Sequence, residues 1–267
     1  MSISFTKMHG NGNDFVIIDE MNAVVIPQEM KPEFAKAYCD RKFGIGADGI
    51  LFISKPETDG AAVRMQLFQP DGSEAAMCGN GIRCLAKYAV DKEYAKTKAF
   101  KVQTKAGVLS VRGDYDSDGD YMVSIDMGKA VFGNDEKIAD LCVSSVNTGV
   151  PHAVVFVENV DDVDIDTIAP KIRNNPVYPE GTNVNFVQIT GTDEITIRTY
   201  ERGVEGETLS CGTGATASAL AASAKKLVSG SIIHVATVGG PLDITVSGKT
   251  PVMTGPAETV YTGEISF

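Results

Sequence analysis

Hydrophobic positions along this chain recur at two periods. Ile3-Ser4-Phe5-Thr6-Lys7-Met8 alternates and predicts a half-buried strand. Short apolar runs at Phe15–Ile18, Ile50–Ser54, Val63–Phe68, Tyr121–Met127, Ala153–Val157 and Ile195–Tyr200 predict further strands. So do Ile232–Ala236, Leu242–Val246 and Thr259–Phe267, while Phe100–Arg112 predicts a pair. Helical spacing is rarer. Pro32–Lys42 places Phe34, Ala37 and Tyr38 on one face. The run after Cys78, Ile82-Arg83-Cys84-Leu85-Ala86-Lys87-Tyr88-Ala89-Val90, is helical in spacing. That after Cys211, Ala215-Thr216-Ala217-Ser218-Ala219-Leu220-Ala221-Ala222, is small and apolar nearly all round, the mark of a buried helix. Turn chemistry punctuates these elements at His9–Asp14, Gly44–Gly49 and Gln69–Ser73. The reading is an α+β chain dominated by strands, with one long buried helix per half.

The two halves echo each other. Met77-Cys78-Gly79-Asn80-Gly81 matches Ser210-Cys211-Gly212-Thr213-Gly214 half a chain-length later. Thr104–Leu109 matches Thr237–Leu242 in the same order, and Leu67–Gln69 matches Thr199–Glu201. Gly44–Ile53 matches Glu180–Ile189, and Asn13–Asp19 matches His152–Glu158. Five ordered pairs predict a duplicated unit: two similar domains about a pseudo-twofold axis, with one cysteine from each meeting at the interface, where ligand sites prefer to form. The acidic stretch Asp114–Asp120 is the expected linker, giving domains 1–117 and 118–257.

Composition narrows the class. An apolar fraction of 43% supports sizeable cores. A net charge of −11 disfavours nucleic acid and anionic membranes as partners. No long apolar run predicts a membrane span, and Met1–Met8 lacks a signal-peptide core. Five cysteines, Cys39, Cys78, Cys84, Cys142 and Cys211, are an odd number, so reduced thiols and a cytoplasmic location are expected. His9, His152 and His234 are scattered, and no spacing suggests a zinc site; no metal is expected. The turn at Gly44–Gly49 has the glycines of a phosphate loop but lacks its Lys-Ser/Thr ending and precedes a strand.

Each cysteine precedes a helix, where unpaired N–H groups and the positive dipole end favour an anion and lower a thiol's pKa. Two facing thiols fit several chemistries. A soft metal would need further ligands, and a redox pair is usually adjacent in sequence. A cysteine hydrolase leaves the second thiol unused. A two-base isomerase uses both, one thiolate removing a proton from a stereocentre and the opposite thiol supplying one to the other face. The carbanion needs stabilising, and backbone N–H groups at Gly79-Asn80 and Gly212-Thr213 would receive the substrate carboxylate. A reversible regulatory disulfide is the reading from another class.

Three long motifs, His9–Phe15, Asp71–Cys84 and Glu201–Gly214, closely resemble diaminopimelate epimerase. The resemblance covers essentially the whole chain. It implies epimerisation of LL-2,6-diaminopimelate to the meso form without any cofactor, in lysine and cell-wall precursor synthesis. It also implies two mixed α/β domains, each a curled sheet around a central helix, a homodimer, and a final strand (258–267) returning to the first domain. By resemblance Cys78 and Cys211 are the catalytic thiols, with His152 and Glu201 the polar pair beside them. Gly79, Asn80, Gly212 and Thr213 cradle the carboxylate, and Asn13, Gln69, Asn183, Glu201 and Arg202 contact substrate. A diamino dicarboxylate suits a bidentate arginine. Gln69 and Val150 stand where many members carry Asn, and the segment 201–211 is one residue longer than in some. Racemisation of another polar amino acid, such as histidine, is the alternative these departures leave open.

Overall fold

The computed structural model describes residues 2–266. In chain order the first half holds β1 (Ser2–Gly10), β2 (Asn13–Glu20), α1 (Lys31–Cys39), β3 (Gly49–Ser54) and β4 (Val63–Phe68). It continues with β5 (Glu74–Ala75), α2 (Gly79–Asp91), β6 (Ala99–Thr104), β7 (Gly107–Tyr115) and β8 (Tyr121–Asp126). The second half holds β9 (Val131–Ile138), β10 (Leu141–Asn147), β11 (Pro151–Phe156), α3 (Ile165–Arg173), β12 (Asn183–Ile189) and β13 (Glu194–Glu201). After these come β14 (Gly206–Thr208), α4 (Gly212–Ala224), β15 (Ile232–Thr237), β16 (Gly240–Thr245), β17 (Val252–Pro256) and β18 (Glu258–Ser266). Contacts divide the chain into two units. One runs up to Ile125 and takes in the stretch from Gly255 onward; the other is Asp126–Thr254.

Within the first unit β1 and β2 form a hairpin whose turn residues, Asn11 and Gly12, both have positive φ (53° and 78°). That is the backbone a two-residue hairpin needs to match strand twist, and Asn-Gly supplies it at low cost. From β2 the chain crosses through α1 to a parallel neighbour, β3, since parallel strands need a long connection. β4 lies antiparallel to β3 and parallel to β6, which turns back antiparallel as β7. The second unit repeats each step. β10 and β11 are antiparallel, and α3 crosses to the parallel strand β12. β13 is antiparallel to β12 and parallel to β15, which returns as β16. The duplication expected from sequence therefore extends to strand direction. The last strand completes the match: β18 lies antiparallel to β1 just as β9 lies antiparallel to β10.

Each sheet curls round one helix. α2 touches β1, β2, β3, β4, β7 and β18, and α4 touches β10, β11, β12, β13, β15 and β16. α4 can be enclosed this way because Ala215, Ala217, Ala219, Ala221 and Ala222 leave no bulk to hold the sheet away. The outer helices cover second cores. Phe34 and Ala35 of α1 pack with Val16, Ile50 and Phe52, and Ala169 and Ile172 of α3 pack with Val155, Val184 and Phe186.

One expectation changes. Asp114–Asp120 is no linker: Asp114 and Tyr115 pair with Met122 and Tyr121, and Asp116 Oδ1 accepts from the Asp118 and Asp120 amides across a hairpin turn. The chain passes between units at Ile125–Asp126 instead. The charged run from Asp161 leads into α3, capped by Asp164 through the Thr167 amide. β9 had no sequence signal, because nearly every side chain on it is exposed and it is held extended by pairing with β10.

Candidate active site

Both cysteines occupy the N-cap position of their helix in extended backbone, Cys78 at φ −144° before α2 and Cys211 at φ −122° before α4. Such a residue leaves the first-turn amides of Gly79-Asn80 and Gly212-Thr213 at the helix mouth, where they favour a negative group. At the second mouth Gly212 allows a close approach. A Cβ on Gly212 would lie 2.6 Å from Met253 Sδ.

In the first unit Cys78 is half-buried and donates its S–H to Asn13 Oδ1 at 3.7 Å. Asn80 Nδ2 donates to the same oxygen at 3.1 Å. Cys78, Asn80 and Asn13 thus form one cluster, with Gly79 between the two helix residues. Gln69 is not part of it: this side chain stays in its own exposed turn, accepting from Ser73 Oγ at 2.9 Å. Behind the helix, Arg83 is fully buried, donating from Nε to Pro256 O (3.0 Å) and from Nη2 to Asn11 Oδ1 (2.6 Å). Burial pulls its pKa down to about 10, against the pull of Cys84 and Cys78.

In the second unit Cys211 is 7% exposed. Burial pushes its thiol well above the ordinary range, and the Glu201 carboxylate, hydrogen-bonded to it, pushes in the same direction. The Thr213 hydroxyl, 3.4 Å from Sγ, and the Gly214 amide pull the other way. Glu201 Oε1 also accepts from Thr208 Oγ1 at 2.6 Å. Thr213 is itself held, its carbonyl accepting from Thr148 Oγ1 at 3.2 Å. Arg202 follows Glu201. Its backbone amide donates to Asn183 Oδ1 (2.8 Å), and its guanidinium to Glu180 O (3.1 Å). Asn183 Nδ2 reaches Pro151 O at 3.2 Å, tying this turn to the start of β11.

His152, on β11, is 0% exposed. Burial, with Arg202 nearby, lowers its pKa to about 3, so the ring is neutral at any working pH. Its tautomer follows from its neighbours. Thr199 Oγ1 donates to Asn185 Oδ1 (3.0 Å), which turns Asn185 Nδ2 on His152 Nδ1 at 3.1 Å. Nδ1 must accept, and the proton sits on Nε2, a buried donor with no partner among the described residues. A neutral imidazole with Nε2–H can polarise an oxygen or steady a sulfur; it is no base on that nitrogen.

Four contributors escaped the sequence reading: Asp48, Asn185, Thr199 and Thr208. Each acts through another side chain. Asp48 lies in the glycine-rich turn Gly44–Gly49, where its Oδ2 accepts from Asn13 Nδ2 at 2.7 Å. Among the described residues no helix is long and apolar enough to cross a membrane.

The family model described as diaminopimelate epimerase matches residues 5–133 and 144–260. A relative from Archaeoglobus fulgidus named diaminopimelate epimerase is 49% identical, covering 98% of this chain and 96% of its own length. One of the same name from Trichodesmium erythraeum is 39% identical over the full length of both. Among solved structures, a phenazine biosynthesis protein of the PhzF family from Bacillus anthracis superposes with a TM-score of 0.76 at 16% identity, covering 100% of both chains. A probable proline racemase from Agrobacterium radiobacter superposes at 0.70 and 18% identity, over 99% of this chain and 93% of its own. These two share the fold. With its family model and full-length relatives in agreement, the chain belongs to the diaminopimelate epimerase family.

Proposed function

We propose that this protein epimerises LL-2,6-diaminopimelate to the meso form for lysine biosynthesis, using Cys211 and Cys78 as its two acid–base groups. The observation that carries the reading is the paired placement of the thiols, each at the mouth of a buried helix in one of two repeated units. Glu201, already bonded to the Cys211 thiol, takes its proton as substrate binds, and the Thr213 hydroxyl and Gly214 amide support the thiolate. That thiolate removes the α-proton. The C–H electrons pass into the substrate carboxylate, whose oxygens receive the first-turn amides at Gly79-Asn80 and Gly212-Thr213. Removing one such donor costs about 3 kcal/mol in known oxyanion sites. Cys78 delivers its S–H proton to the opposite face. The turnover leaves Cys78 as thiolate and Glu201 protonated, and one proton returned through solvent resets the pair.

Arg202 and Asn183 are the proposed substrate contacts in the second unit and Asn13 in the first, with His152 beside the reacting groups. Gln69 contacts the distal end of the substrate only if its turn moves. A cytoplasmic homodimer belongs to the same reading, and five free thiols suit a reducing compartment.

Incubation with LL-diaminopimelate in D₂O is expected to give meso product carrying α-deuterium with nothing added. Cys78→Ala and Cys211→Ala should each lower turnover by at least about 10³-fold. A wild-type protein that exchanges no α-hydrogen would overturn the assignment. A panel of L-amino acids, histidine among them, checks the substrate.

A further inference from the structure

Behind Asn13 stands a closed charged network in the first unit. Arg41, in the loop after α1, grips Asp14 with both arms, Nη1 to Oδ2 at 3.0 Å and Nη2 to Oδ1 at 2.7 Å. The same Nη2 reaches Asp48 Oδ1 at 2.7 Å. Lys7 of β1 pairs with Asp14 at 2.6 Å and donates to Gly46 O. Burial opposes the charge on Asp14, but Arg41 and Lys7 outweigh it and hold that carboxyl well below the usual range. Asp48 Oδ2, the remaining oxygen, accepts from Asn13 Nδ2 at 2.7 Å and from the Asp14 amide at 3.2 Å.

We propose that Asp48 is a positioning residue that fixes the Asn13 carboxamide with its oxygen turned on Cys78, so that Cys78 is held protonated, as the proton donor of the resting pair. The argument is one of donors and acceptors. A carboxylate only accepts, so it admits only the NH₂ end of Asn13. The amide oxygen must then point the other way, where it meets Asn80 Nδ2 and the Cys78 sulfur. An amide oxygen also only accepts. Cys78 satisfies it as S–H; as thiolate it would set lone pairs against lone pairs. Arg41 in turn holds Asp48. The choice of which cysteine starts as acid is thus written on β2 and the turn before β3, away from the helix that carries the thiol. The charged and titratable groups about the cluster include Lys7 on β1, Asp14 on β2, Cys39 on α1, Arg41 and Asp48 in the loops, and Arg83 and Cys84 on α2. Only the naming of Cys78 as a proton donor rests on the proposed function; the clamp is a property of the substrate-free protein.

Asp48→Asn separates the clamp from simple charge. Arg41 claims the new amide's oxygen and leaves its NH₂ facing Asn13, which must flip and turn its own NH₂ on Cys78. The pH midpoint of Cys78 alkylation by iodoacetamide is read by mass spectrometry, trypsin cutting at Arg83 to separate Cys78 from Cys84. It is expected to fall by about one unit, a tenfold change in the thiol's ionisation equilibrium. In an Asn13→Ala background the same substitution is expected to shift nothing. An equal shift in that background means that Asp48 acts through space as a charge, and overturns the proposal. So does an unmoved midpoint in the single variant. Should Asp48→Asn fail to fold, Asn13→Ala alone decides, since loss of the accepting oxygen must lower the midpoint and an unchanged or raised one refutes the clamp. If the deuterium experiment fails while the midpoint moves, the proposed reaction falls and the clamp stands.

Discussion

At the scale of single residues, this protein keeps charge and neutrality in place by burial and by the direction of amides. His152 shows the thermodynamic consequence. Its pKa is about 3 folded, lowered by burial and Arg202, against about 6.5 unfolded. The unfolded chain therefore takes up a proton that the folded one refuses. The histidine's contribution is complete above pH 6.5 and is lost as pH falls from there toward 3. Over that window one extra proton bound on unfolding costs about 1.4 kcal/mol per pH unit. His152→Gln should be less stable at neutral pH, since Asn185 loses a partner. Its urea-unfolding free energy should nevertheless fall less steeply than wild type between pH 6 and 4, by about that slope. Parallel curves would mean that the buried ring already carries a proton.

At the scale of elements, the two cysteine helices invite a comparison inside one molecule. Gly81 and Gly214 hold the same position, third in α2 and third in α4. A methyl on Gly81 would meet Cys78 Cβ and Phe15 Cζ at 3.5 Å and Leu51 Cδ2 at 3.6 Å, ordinary contact. A methyl on Gly214 would run into Asn185 Oδ1, the atom that receives Thr199 and orients the amide toward His152. Gly81→Ala should be neutral or stabilising by about 0.5–1 kcal/mol, the usual gain from removing a helical glycine. Gly214→Ala should cost about 1–3 kcal/mol by overpacking and lower turnover with it. Thermal melts of the two variants decide; equal effects would deny that Asn185 is wedged against α4. The sequence made the helices and their N-cap cysteines legible, because a small-residue run after Cys-Gly-X-Gly has few other uses. It could not separate Gly81 from Gly214, since the difference lies in what the neighbouring strand presents. The same limit hid Asp48 and Asn185, whose work is to aim Asn13 and His152. Polar β9 was illegible for another reason: an exposed strand held by its partner's backbone carries no hydrophobic alternation. Asp114–Asp120 misled because a charged, glycine-containing stretch serves a tight hairpin as well as a linker.

At the scale of the whole molecule, the repeat is offset from the ends of the chain. Counting β9 as the first strand of the second repeat makes β18 the first strand of the other, although it is made last. Its register with β1 runs from Ser2↔Ser266 to His9↔Glu258, and Gly263 lies so close to Phe5 that a Cβ would sit 2.7 Å from the ring. Ile3 and Phe5, buried on β1, belong to the core that also holds Phe34 and Phe52, with Ile265 of β18 packed against it. A chain ending at Ala257 therefore loses the ladder on one side of β1 and uncovers part of that core. The paired backbone of β1 and β2, which places Asn13, should then open locally, while β10, the partner of β11, keeps β9 on its other side. Hydrogen exchange followed by mass spectrometry is expected to show lost protection over residues 2–20 and retained protection over 141–156. Supplying the peptide 258–267 in trans should restore the first region, because strand addition at an exposed sheet edge needs only the matching register. Equal loss in both regions would show that the two repeats unfold as one cooperative body, and no loss in either would show that β18 is dispensable to the repeat it completes.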